Sequence, residues 1–78
     1  MNTEKVIIAL AKAGLTEYKP VTICNGDERK PGLMVEHDYF GLYPGKEQFE
    51  KHNAAVKIAK RFGLNAEKRG YCSATLIW

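Results

Sequence analysis

The side chains best suited to metal or nucleophilic chemistry in this 78-residue chain are His37, His52, Cys24 and Cys72. Together they make a formal zinc set. No two of them, however, have the short local spacing of a structural zinc site, so neither a metal nor another cofactor is expected. The cysteines stand far apart, outside any Cys-x-x-Cys pair, and are expected to be buried thiols that pack as small hydrophobes. Glu36-His37-Asp38 has acid–base residues in a row. In a strand, alternation sends Glu36 and Asp38 to one face and His37 to the other, so the three do not converge. The glycines match neither a P-loop nor a dinucleotide fingerprint. No catalytic residue is assigned, and the chain is not expected to be an enzyme.

Binding chemistry is better represented. Lys57, Lys60 and Arg61, with Lys46 and Asn53, fall on the polar side of a predicted helix, and Lys68 and Arg69 follow shortly after. Such a patch attracts phosphates through counterion release. The same cations would equally complement a helix dipole and solvate a surface helix. The segment Tyr39-Phe40-Gly41-Leu42-Tyr43 concentrates aromatic residues beside a Pro-Gly turn. Tyr39 and Tyr43 are therefore candidate binding aromatics, although aromatics are also the main core material of a small domain.

Elements that would position these residues can be read from periodicity. A first helix is predicted from about Thr3 to Ala13, with Val6, Ile7, Leu10 and Ala11 inward. Gly14 ends it, and Leu15 folds back on Leu10. Val21–Cys24 reads as a strand. The polar run from Asn25 to Gly32 suits a hairpin longer than the two-residue type. A second strand starts at Leu33, with Leu33, Val35, His37 and Tyr39 on one face. The second helix spans about Lys46 to Phe62, with Phe49, His52, Val56, Ala59 and Phe62 inward, widened by Ala55 and Ile58. Glu47 and Lys51 form an i,i+4 pair on its side. Gly63-Leu64 repeats the first helix's stop signal, and Tyr71–Trp78 is a last strand. The likeness of Lys12-Ala13-Gly14-Leu15-Thr16 to Arg61-Phe62-Gly63-Leu64-Asn65 is ascribed to shared capping chemistry rather than duplication.

The expected fold is thus α+β in the order α-β-β-α-β, one domain over 1–78, with a right-handed crossover at the second helix. A three-stranded, mainly antiparallel sheet would carry both helices on one face. Its other face would be bare, with apolar side chains that a protein partner or a second copy could cover.

Helix, hairpin and helix, with Lys51-His52-Asn53-Ala54-Ala55 in the second helix, is similar in outline to the double-stranded-RNA-binding domain. That family grips phosphates with a Lys-Lys-x-Ala-Lys motif. Lys51 and Ala54 match it, while His52 and Ala55 stand where lysines are expected. The family also ends at its second helix, whereas this chain continues to Trp78.

Composition bounds the rest. The chain is 45% hydrophobic and 27% charged, too short for a second domain or a deep pocket. Val6–Ala11 is far shorter than a membrane span, and no signal peptide is apparent, so a cytoplasmic location is expected. Net charge is +3, but Lys/Arg minus Asp/Glu gives 5 − 6 = −1 over residues 1–40 and 7 − 3 = +4 over residues 41–78. The function expected is a non-catalytic binding module, a small accessory or inhibitory protein of the phage or plasmid kind. It would act through protein–protein contact with a larger partner complex or through homodimerisation, using the open sheet face or the last strand. The alternative is nucleic-acid binding by Lys57, Lys60, Arg61, Lys68 and Arg69. No membrane partner is expected.

Overall fold

The computed structural model describes residues 2–37, 45–70 and 73–78. Among these residues two helices, α1 (Thr3–Lys12) and α2 (Lys46–Arg61), accompany four strands: β1 (Tyr18–Asn25), β2 (Glu28–Glu36), β3 (Ala66–Arg69) and β4 (Ala74–Ile77). The class is α+β as expected, but the sheet has four strands, not three, in the order β1-β2-β4-β3. All three pairings are antiparallel. The strand unseen in the sequence is β3. Its residues Glu67, Lys68 and Arg69 are exposed and only Ala66 turns partly inward, so the alternation that announces a strand is missing.

That extra strand changes the topology. The last strand is not an edge but lies between β2 and β3. Docking along its edge, one of the two routes expected for a partner, is therefore closed by β3. Each helix is followed by a hairpin, and the two hairpins meet at β2 and β4.

Both helix ends form as their sequences predict. Gly14, with φ +82, lets Leu15 N–H donate to the Leu10 carbonyl at 2.8 Å and Gly14 N–H to Ala11 at 3.0 Å. Gly63, with φ +69, does the same for Leu64 to Ala59 at 2.8 Å and for Gly63 to Lys60 at 3.1 Å. This is the Schellman arrangement, which satisfies carbonyls that the helix leaves unpaired. At its other end α1 is capped by Asn2, whose side chain accepts from the Lys5 N–H.

The β1–β2 hairpin is tighter than expected. Asn25 pairs with Glu28, so the turn is only Gly26-Asp27, with Gly26 at φ +63. Glu28 to Gly32 belong to β2 and pair with β1 alone, because β4 reaches only Leu33 to Glu36. A polar stretch can be a strand there because neither of its faces joins the core. Pro31 is tolerated for the same reason, as is Pro20 on the edge strand β1.

The core lies between the helices and one sheet face. Val6, Leu10 and Leu15 meet Ala55, Ile58 and Ala59 of α2 over Leu33, Val35 and Ile77. The inward face of α2 is shifted from the predicted one. Ala55, Ile58 and Ala59 are buried, whereas Phe49 is 51% exposed. This helix must serve α1 as well as the sheet, so its buried side is centred between the two. On α1 the departure is similar: Ala11 is exposed, and Ile7 only half-buried. Among the described residues, no helix is long and apolar enough to cross a membrane.

Candidate functional site

Among the described residues, neither helix covers the opposite sheet face. Antiparallel partners share a face, so the register puts Val21 and Ile23 of β1, Met34 of β2 and Leu76 of β4 together on this side. Trp78 follows Leu76 in phase and is tied down by reciprocal backbone bonds with Asn65 of 2.9 and 3.1 Å. These five apolar side chains are half-buried, with no helix above them. Charges flank the stripe. Lys19 pairs with Glu36 at 3.3 Å on one side, and Glu67 and Arg69 stand on the other.

A shallow hollow of about 250 Å3 opens here between Val21, Ile23, Leu76, Glu67 and Arg69. Gly32 shapes it. A Cβ at that position would stand 2.7 Å from the Ile77 carbonyl oxygen and 2.9 Å from Ile23 Cγ1. The glycine thus lets Ile23 lean across the β2 backbone. Cys24 also lines the hollow and is a free, exposed thiol. The expectation that it is buried fails because β1 is an edge strand and its end lies beyond the core. Cys72, Tyr39 and Tyr43 lie outside the described residues.

The five predicted basic residues are dispersed over different surfaces. Lys57 and Arg61 face the seam between α1 and α2. Lys60 is exposed on α2 but lines neither hollow there. Lys68 pairs with Thr75 and so stands on the helix-bearing side of the sheet, while Arg69 pairs with Ala74 and stands on the bare one. Lys46 is engaged by Glu50 at 3.9 Å and Lys51 by Glu47 at 3.4 Å, the latter pair as expected.

In the seam, Lys57 and Arg61 gain two neighbours that the sequence did not single out. One hollow of about 230 Å3 is lined by Lys5, Ile8, Ala9, Lys12, Arg61 and Phe62. An adjoining one of about 300 Å3 shares Ala9, Lys12 and Arg61 and adds Lys57. Among the described residues, no carboxylate lines either. The i, i+3, i+4 and i+7 spacing of Lys5, Ile8, Ala9 and Lys12 was a signal available in the sequence.

A third feature is internal. Thr75 and His37 are fully buried polar residues. The Thr75 hydroxyl lies 2.7 Å from His37 Nε2 and 2.7 Å from His52 Nδ1. A hydroxyl has one proton to give, so at least one of the two rings donates its N–H to Thr75 Oγ1. The two histidines therefore meet at one threonine hydroxyl. His52 is held below its ordinary pKa of 6.5, chiefly by burial and secondly by the charge of Lys68. Among the described residues, no group of three or more His, Cys, Asp and Glu side chains could hold a metal ion.

No family model, curated protein or solved structure matches the chain.

Proposed function

We propose that this chain is a non-catalytic binding module, a small accessory or inhibitory protein that docks a protein partner on its uncovered sheet face. One observation carries the reading. Val21, Ile23, Met34, Leu76 and Trp78 form a continuous apolar stripe on a face that neither helix reaches. Apolar area in such a place gains most from being covered by another protein surface.

The face is better suited to docking than the edges of the sheet. The β3 edge is four residues long and mostly charged, and β1 carries Lys19 and Pro20. Both are devices that discourage strand addition. Flanking charges of both signs, from Lys19 and Glu36 to Glu67 and Arg69, would form the polar rim of an interface with an apolar centre. Nucleic-acid binding has less support, because Lys57 and Arg61 stay together while Lys68 and Arg69 stand on opposite faces of the sheet.

The test is sedimentation velocity over a wide concentration range, together with crosslinking in the native host. Wild type is compared with Val21→Lys and Leu76→Lys, each checked for folding by circular dichroism. Either a self-associated species or a discrete crosslinked partner should be present in wild type and lost in both variants. A monomer whose crosslinked partners are unchanged by the variants would overturn the reading.

A further inference from the structure

We propose that the seam between α1 and α2 is a second docking surface, and that its occupant is an acidic amphipathic helix of a partner protein. Charge and shape point to the same ligand. Lys5 and Lys12 on one helix face Arg61 and Lys57 on the other, with no carboxylate of the described residues in either hollow. None of these four cations is engaged by an ion pair among the described residues. Between the cations the floor is apolar. Ile8 is 51% exposed, and Ala9 beside it is small enough to let a third backbone come close.

Apolar anchoring separates a helical peptide from the other polyanion that four cations would attract. A nucleic-acid backbone would be held by Lys5, Lys12, Lys57 and Arg61 but gains nothing from Ile8. An amphipathic helix lays its apolar side into a groove and offers its acids to the rim, so it uses both. Burying Ile8 removes exposed apolar surface from water, while the cations set orientation and speed encounter. The surface is distinct from the bare sheet face and lies on the other side of the sheet, so the two can be tested independently.

The experiment measures binding of the full chain to three fluorescent probes. These are a designed Glu/Leu amphipathic helical peptide, a scrambled peptide of the same composition, and a short RNA or DNA duplex. The amphipathic peptide should bind well above the scrambled one. Its affinity should fall about tenfold with Ile8→Ser and at least that much with Lys12→Glu or Lys57→Glu. Val21→Lys, on the sheet face, should leave it unchanged, which keeps failure here distinguishable from failure of the sheet-face reading. Equal binding of both peptides would overturn the proposal. So would duplex binding tighter than the peptide's, indifferent to Ile8→Ser, with a log–log salt slope of about −3.6 for four phosphate contacts. Absence of binding by every probe would overturn it as well.

Discussion

His52 Nδ1 lies 2.7 Å from Thr75 Oγ1, a bond that ties the first half of α2 to the central strand β4. His37 reaches the same oxygen from the residue just past the end of β2. Three side chains separated by 23 and 38 residues along the chain thus share one hydroxyl. Because α2 contacts the sheet through β3 and β4, this network lies where helix and sheet are clamped together.

The first consequence is a pH dependence. Burial and Lys68 lower the His52 pKa in the folded chain below its ordinary 6.5. The unfolded chain therefore takes up a proton on this ring before the folded chain does. Stability is then fully present above about 6.5 and is lost as pH falls from there through the lower folded value. Urea unfolding midpoints should be flat at neutral pH and decline below it. His52→Asn should reduce that decline, and an unchanged slope in the variant would locate the titrating group elsewhere.

A second test addresses the shared hydroxyl itself. Thr75→Val keeps the shape but removes the group that both histidines contact, and it should cost about 1–3 kcal/mol, the penalty of depriving buried polar atoms of a partner. Thr75→Ser keeps the hydroxyl and loses one methyl, so it should cost only about 1 kcal/mol. Urea or thermal unfolding of the two variants checks the order. Equal losses in both would mean that packing of the methyl, not the hydrogen bonds, is what Thr75 supplies.

Legibility in the sequence followed the range of the interactions. Gly14-Leu15 and Gly63-Leu64 announced both helix ends, because a Schellman cap closes within six residues. The alternation that turns Leu33, Val35 and His37 inward holds in the structure, although β2 itself ends at Glu36 and His37 is buried just past it. Glu28 to Pro31 reads as loop because strand signals in sequence are signals of a half-buried face. A stretch held only by pairing to an edge strand has no such face, and β3, an edge strand paired with β4, shows little of one because only Ala66 of its four residues turns inward. The network around Thr75 was half visible: both histidines sat at inward positions of their elements. Only the register of β2 with β4 and the packing of α2 could reveal that a threonine lay between them.

The matching helix stops make a prediction of their own. Gly14 and Gly63 have nearly the same positive φ, and a Cβ on either would meet nothing within 4 Å. Gly14→Ala and Gly63→Ala should therefore cost the backbone term alone, about 1–2 kcal/mol each. The two losses should be similar and, in the double variant, nearly additive. Urea unfolding of the two singles and the double checks this. A large difference between them would show that one cap carries contacts beyond its own turn.

Gly32 should behave differently from those two. Its φ is not in the left-handed region, so alanine carries no backbone strain there, but the added methyl has nowhere to go. The Ile77 carbonyl oxygen would be 2.7 Å away and Ile23 Cγ1 2.9 Å. A side chain can rotate aside, whereas the carbonyl belongs to β4 and can move only with its strand. Gly32→Ala should thus cost about 1–3 kcal/mol as an overpacking effect. Ile23→Ala in the same chain should recover only part of it, since the carbonyl contact remains. The substitution also presses on Ile23, which lines the hollow on the bare sheet face. If that face docks a partner, complex formation should weaken by more than the loss of folded protein explains. That difference is read by comparing crosslinked yield with unfolding midpoint for Gly32→Ala and for Gly63→Ala, which lowers stability without touching the face. Equal yields at equal stability would separate the hollow from docking and leave Gly32 a purely structural residue.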